Sequence, residues 1–299
     1  MSLTSPQPPS AAFRARPMFL QQFVSLFRQL VRTPQSLIGM ALVVLFVLMA
    51  AFGPLFAPYR FDEIIRGAAR LAPSAAHPFG TDTLGRDVFS RVLWGAREII
   101  LLPTVTTILS VTFGTGIGLL IGYFGGVLDD IVSRILDSLL AIPALILALV
   151  ILGTIGASSL GIVIVVVVLY TPIVARVVRS ATLNLRSAGY IEAARLRGES
   201  TAFILFREIL PGVLPALVVE AALRFSYAIF LTASLGFLGL GVQPPSPDWG
   251  RMVNEARSAY AQTPWALWAP SGAIALLIIG VNLLSDGLRR IFRYEGGIG

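Results

Sequence analysis

The chain has 299 residues, 56% of them hydrophobic and 13% charged, with a mean hydropathy of +0.81. A soluble domain holds about 45–50% apolar and about 25% charged residues, so this composition describes a polytopic membrane protein. Cysteine is absent and all 23 basic residues are arginine. Those two facts exclude disulfides, thiolate zinc sites, thiol catalysis, Schiff-base chemistry and a Walker A lysine. His77 is the single histidine, which excludes His-x-x-x-His metal motifs and disfavours a Ser–His triad. The net charge of +7 is accounted for by membrane topology rather than by nucleic-acid binding.

Met1 to Pro17 is rich in Pro, Ser and Ala and lacks both a hydrophobic core and a cleavage site, so it reads as a cytoplasmic tail rather than a signal peptide. Phe19, Leu20, Phe23, Val24, Phe27, Leu30 and Val31 recur at helical spacing opposite Gln21, Gln22, Arg28 and Arg32. This helix would lie in the headgroup plane or pack its first turn on the bundle. Leu37 to Phe56 is a first span of about the length a bilayer requires. Pro58 to Glu98 is expected to be a long polar loop, followed by a second span, Ile99 to Phe124. Gly114, Gly116, Gly118 and Gly122 in that span predict close helix packing. Gly125 to Asp130 reads as a tight turn. Ile135 to Leu152 is a third span with Pro143 inside it, and Leu160 to Ala175 a fourth, so rich in Val that lipid exposure is expected. Val213 to Leu240, an outer loop Gly241 to Trp268, and Ala269 to Leu288 complete about six spans.

Between the fourth and fifth spans lies the one long polar passage flanked by membrane-grade sequence. Tyr190 to Arg197 consists of good helix formers, and Gly198 suits a left-handed residue past its end. Ser200 can cap a second helix, Thr201 to Ile209, which Pro211 would stop or kink. With the N-terminus inside, fourteen arginines fall on inner segments and eight on outer loops, with Arg224 inside a span. That asymmetry places both termini and this helix–turn–helix knuckle in the cytoplasm.

Glu192-Ala193-Ala194, three residues, Gly198, nine residues and a Leu210-Pro211 ending resemble the EAA loop of permease subunits of bacterial ABC importers. Glu208 departs from the pattern, standing where many family members carry an apolar residue. The segments His77 to Asp87, Gly236 to Pro245, Pro247 to Gly250, Asn254 to Arg257 and Asn282 to Arg289 are similar to dipeptide/oligopeptide permeases of the C type. The resemblance implies an all-α polytopic fold with a cytoplasmic coupling helix, in the cell (inner) membrane. Its organisation would be a tail and amphipathic helix over 1–36, a first span and outer loop over 37–98, and a core permease domain over 99–299 with the loop at 190–211. It further implies a second homologous permease subunit, two ABC ATPase subunits holding ATP and Mg, and an extracytoplasmic substrate-binding protein, with no catalytic, metal or cofactor site on this chain and no nucleic acid. Tyr190, Glu192, Ala193, Ala194, Arg195, Arg197, Gly198, Leu210 and Pro211 would couple to the ATPase, with Ala193 and Ala194 allowing close approach. The cargo implied is a di- or oligopeptide, the alternative being another solute such as a nickel chelate or sugar.

Three further clusters carry expectations. Asp82, Arg86, Asp87 and Arg91 either touch substrate or binding protein or form a self-satisfied loop turned by Gly80 and Gly85; the latter is favoured. Glu220 and Arg224, four apart in the fifth span, share a face and are expected to pair, as a structural element or a gate. Asp129 and Asp130 mark a cytoplasmic turn beside Arg134, and Asp286 is placed to pair with Arg289 or Arg290. An ion-coupled secondary transporter using Glu220 as its proton site is a competing class, but no inverted repeat supports it. An intramembrane enzyme lacks a nucleophile–base set.

Overall fold

A computed structural model describes residues 30 and 33–295. The amphipathic stretch at 19–31 and the tail before it lie outside the described residues, Leu30 excepted. The helices are α1 (Pro34–Phe56), α2 (Val88–Phe124), α3 (Gly126–Ala141), α4 (Ala144–Ile155), α5 (Ser159–Leu185), α6 (Gly189–Leu196), α7 (Leu210–Phe237), α8 (Trp249–Arg257) and α9 (Pro264–Glu295). Five spans are long and apolar enough to cross a membrane, and α3 with α4, bent by 91° at the break between them, brings the count to six when the pair is taken as one span.

Close approach between helices is made by glycine. A Cβ on Gly114, Gly118 or Gly122 would meet Val174, the Ala175 carbonyl or Thr182 at 2.5–2.7 Å, so these three positions let α2 lie against α5. Gly116 faces open space, so the fourth glycine of the series plays no part in that contact. Gly39 and Gly280 do the same for α1 and α9. In lipid, where apolar surface gains nothing by leaving water, such backbone contact is what holds helices together. The Val-rich start of α5 is therefore not lipid-facing as expected: Ile162, Val165, Val166, Val174 and Val178 are fully buried against α2, α4 and α7. Composition alone cannot separate a valine facing lipid from one facing a helix.

Several boundaries also differ from the sequence reading. The first outer loop ends at Asp87 rather than Glu98, because Asp87 caps α2 by accepting from the Ser90 N–H at 2.7 Å. Three more turns of helix follow, mostly apolar and mostly buried, with Arg91 inside and Arg97 exposed. The third span is not continuous: Ile142 and Pro143 both hold extended backbone (ψ 125° and 130°) and separate α3 from α4. Pro143 disfavours helical geometry at the residue before it, which produces the break. Finally, Pro211 stops nothing. It occupies the first turn of α7, where its missing N–H costs no bond, and the polypeptide runs into it through a π-helical segment, Ile204–Ile209.

Three apolar clusters organise the bundle. One, around Phe46, Val88, Val92, Trp249 and Leu277, joins α1, α2, α8 and α9 toward one end. A second, around Leu119, Val178, Ile191, Ile204, Ile209 and Val213, joins α2, α5, α6 and α7 at the other. The third seats α4 on α5 and α7 through Leu152, Ile162 and Leu235.

Candidate functional site

The knuckle forms as the residue types dictate. Gly198 stands at φ +76°, its N–H donates to the Arg195 carbonyl at 2.9 Å, and the Glu199 N–H donates to Ala194 at 3.2 Å. This pair of bonds closes the helix end and requires the left-handed residue that glycine supplies. Ser200 accepts from the Phe203 N–H at 3.3 Å and so caps the next turn. Ile191 and Ala194 are fully buried in the second cluster, so α6 is seated on the bundle as a rigid body. Its outer face carries Tyr190, Glu192, Ala193, Arg195, Leu196 and Arg197. Ala194 thus points into the chain's own core and cannot serve approach by a partner, whereas Ala193 can. Leu210 is half-buried and Pro211 exposed at the base of α7.

Leu196, absent from the expected set, is the most exposed large apolar side chain of the described residues, at 89%. Its signal in the sequence is its place four residues after Glu192, on the outer strip. Arg195 reaches back to the end of α2, its Nε donating to the Tyr123 hydroxyl at 3.3 Å and its guanidinium lying 4.9 Å from the ring centroid. Arg197 lies 3.6 Å from Glu199 and 3.7 Å from Glu208, which gives the atypical Glu208 a local partner.

On the same side, Asp129 pairs with Arg179 of α5, Nη2 to Oδ2 at 2.6 Å, and accepts from Ser133 Oγ at 3.0 Å. Arg134, beside this stretch in the sequence, is not that partner: five residues along α3, it lies about 140° around the helix from Asp129. Arg176 pairs with Asp137. Among the described residues Asp286 has no ion-pair partner, and Arg290 donates instead to Gln35 Oε1 at 2.7 Å.

Glu220 and Arg224 do pair, at 2.8 Å, both largely buried. Arg224 also lies between two aromatic rings, 5.4 Å from the centroid of Tyr170 and 4.9 Å from that of Tyr227. The Tyr170 hydroxyl donates to the Tyr227 carbonyl at 3.0 Å and fixes α5 to α7 there.

The outer-loop carboxylates pair with arginine, as favoured, although Arg91 Nε and Nη2 are buried without a hydrogen-bond partner among the described residues. Asp82 Oδ2 accepts from Arg86 Nε at 2.6 Å and Arg91 Nη1 at 2.9 Å, while its Oδ1 accepts the Leu84 and Arg86 N–H groups at 2.9 Å each. Asp87, fully buried, holds His77 Nδ1 at 2.9 Å, and the His77 ring stacks on Tyr59. Gly80 and Gly85 take positive φ at the turns. What the loop pattern did not reveal is Glu255 on α8, which accepts from Arg86 at 2.7 Å and Arg91 at 3.1 Å across more than 160 residues of sequence. Burial pushes the Glu255 carboxyl up, but Arg91 and then Arg86 outweigh it and hold the group below its ordinary range. Asp248 caps α8 by accepting from the Arg251 N–H at 2.7 Å; burial, with Glu98 beside it, outweighs that bond and the Arg251 charge and pushes the carboxyl up to about 6.

The described residues form a bundle of helices long and apolar enough to cross a membrane, with a polar knuckle at one end and an ion-paired cap at the other, the architecture of a membrane-embedded protein. The comparisons agree. Residues 114–293 match the family described as binding-protein-dependent transport system inner membrane component, and residues 21–73 match the N-terminal transmembrane domain of oligopeptide transport permease C. The dipeptide transport system permease protein DppC of Alkalihalophilus pseudofirmus is 36% identical over 96% of this chain and 94% of its own length. The glutathione transport system permease protein GsiD of Pectobacterium atrosepticum is 39% identical over 88% of each chain. The probable D,D-dipeptide transport system permease protein DdpC of Escherichia coli is 37% identical over 89% of each. An inward-facing structure of the MetNI methionine ABC transporter shares the fold, with a TM-score of 0.54 over 68% of this chain and 95% of that one at 24% identity. The chain belongs to the binding-protein-dependent transport system inner membrane components: it is a multi-pass permease subunit of an ABC importer and hydrolyses no ATP itself.

Proposed function

We propose that this permease imports di- or oligopeptides delivered by an extracytoplasmic binding protein, forming the path with a second, homologous permease and taking its drive from two ATPase subunits, one of them docked on α6. The observation that carries the reading is the knuckle itself. A helix seated on its own core by Ile191 and Ala194, closed by a positive-φ glycine, moves as a unit and does not melt when pushed. Leu196 and Tyr190, bare on its outer face, supply apolar contact, and Glu192, Arg195 and Arg197 the polar rim. ATP-driven closure of the ATPases would then rock the spans through α2, α5 and α7, all of which meet α6 in one cluster. In this reading both termini and α6 are cytoplasmic, in line with the arginine asymmetry, and the Asp82–Arg86–Arg91–Glu255 cap braces the outer side rather than touching cargo. The peptide assignment follows the dipeptide, glutathione and D,D-dipeptide relatives.

The test is uptake of a labelled dipeptide into proteoliposomes carrying both permeases and both ATPases, with binding protein outside. Uptake should require ATP and the binding protein, and Gly198→Pro or Glu192→Arg should leave ATP turnover uncoupled from it. Uptake without the ATPase subunits, or full coupling in both variants, would overturn the reading.

A further inference from the structure

Arg224 is a charged group in an unusual position. It is the fifteenth residue of the 28-residue α7, so it lies about 21 Å along a helix about 42 Å long, close to mid-span. Headgroup phosphates are out of reach at that depth. A guanidinium there is expensive unless it is paired or faces a water-filled cavity.

The pairing it has is incomplete. Glu220 approaches the Nε edge at 2.8 Å, yet the contact lacks the alignment of a hydrogen bond, leaving Arg224 Nε and Glu220 Oε1 both without a bonded partner among the described residues. The two Nη groups have no acceptor among the described residues either. Arg224 is therefore held by charge on one edge and by ring faces on its sides, with the fork that suits a carboxylate uncommitted. Tyr227, whose ring lies against the guanidinium, is exposed at 51%, and Phe230, one turn further along α7, at 61%. Lipid against this strip would leave the donors of Arg224 unmet in hydrocarbon. Water or cargo against it would satisfy them.

We propose that Arg224, laid between Tyr170 and Tyr227 at mid-span of α7, is a carboxylate subsite on the translocation path that takes the C-terminal carboxylate of a peptide in transit. This rests on the peptide-import reading above. With the site empty, Glu220 neutralises Arg224. An arriving carboxylate takes the Nη fork bidentately while Tyr227 closes on it, and Glu220 remains on the Nε edge to keep the hold weak enough for release.

Because the natural chain lacks cysteine, Tyr227→Cys places a single thiol beside the fork. In the assembled transporter this thiol is treated with the anionic sulfonatoethyl and the cationic trimethylammonioethyl methanethiosulfonates, and modification of this chain is read by mass. The anionic reagent should react faster by on the order of tenfold, as a cation beside the thiol concentrates it. The preference should vanish when Glu220→Gln and Arg224→Gln are added together, a pair that leaves no unbalanced charge and so preserves folding. Dialanine should slow the anionic labelling and dialanine amide should not. A thiol inert to both reagents, equal rates, or equal protection by the amide would overturn the subsite. ATP-driven dialanine uptake is measured in parallel vesicles that retain the natural Tyr227. Its absence, with the charge preference intact in the labelled complex, would overturn peptide import while leaving an anion subsite in place.

Discussion

Glycine 118 and glycine 116 are two residues apart on one helix and do opposite things. A Cβ at 118 would stand 2.5 Å from the Ala175 carbonyl oxygen, a backbone atom that cannot turn aside, whereas at 116 it meets nothing. Gly118→Ala should therefore push α5 from α2 and cost about 1–3 kcal/mol, the range for overpacking a filled site. Gly116→Ala should be neutral or gain up to about 1 kcal/mol from helix propensity. Thermal unfolding in detergent separates the two, and equal shifts would contradict the packing described. The four-glycine pattern was legible in the sequence, and the four-residue spacing of Gly114, Gly118 and Gly122 puts those three on one face without Gly116; that this face meets α5 was not, since it depends on the rotation of α2. Asp248 yields a second prediction of this kind, governed by protonation. Its carboxyl titrates at about 6 in the folded chain against 3.8 when free of the fold. The folded state thus binds more protons between those values, and the stability Asp248 contributes falls as pH rises across them. Asp248→Asn keeps a capping side chain and should flatten that part of the stability–pH profile.

Among elements, α6 was the most legible and α2 the least. The helix formers, Gly198 and Ser200 announce α6 by local chemistry alone, and each does what its residue type favours. The start of α2 was hidden because Arg91 and Arg97 read as loop, yet Arg91 is 2% exposed at the centre of an ion-pair cluster. Its partner Glu255 comes from α8, a contact that local sequence cannot announce. The same locality explains why the outer strip of α6 was read from its charges and Leu196 was passed over. Leu196→Asp touches nothing in this chain, so unfolding should be unchanged. Loss of the apolar contact should weaken retention of the ATPase subunits by on the order of tenfold, about 1.4 kcal/mol. Co-purification with the ATPases, alongside a melting curve of the permease alone, measures both. A shifted melting curve with normal retention would show that Leu196 serves the fold and not the partner.

At the scale of the molecule, the six-span count was readable from hydropathy, but the 91° turn inside the third span was not, because Pro143 sits within an unbroken apolar run. The turn matters for how the bundle moves. The second half of that span, α4, is held to α5 and α7 by Leu152 and Ala148, while the first half, α3, is tied to α5 by the Asp129–Arg179 and Asp137–Arg176 pairs. Both halves rest on α5, the first through ion pairs and the second through apolar packing that also takes in α7, so the extended residues Ile142 and Pro143 can absorb a change in angle between the two attachments. Pro143→Ala removes the restriction on Ile142 and supplies a backbone N–H at 143. With both obstacles gone, the run from Gly126 to Ile155 is free to close into one helix, the residues on either side of position 143, Leu139 to Leu152, being otherwise apolar. The rest of the bundle should remain folded and the ATPases should still bind α6, but closing the run would pull α3 or α4 off its packing on α5, so a lower melting temperature is expected. Transport should fall by at least about tenfold, because a straight span cannot follow the rocking of α5 and α7 at both ends. ATP turnover and dipeptide uptake in the same vesicles measure the two sides of this outcome, and full uptake by the alanine variant would show that the bend is dispensable to the transport cycle.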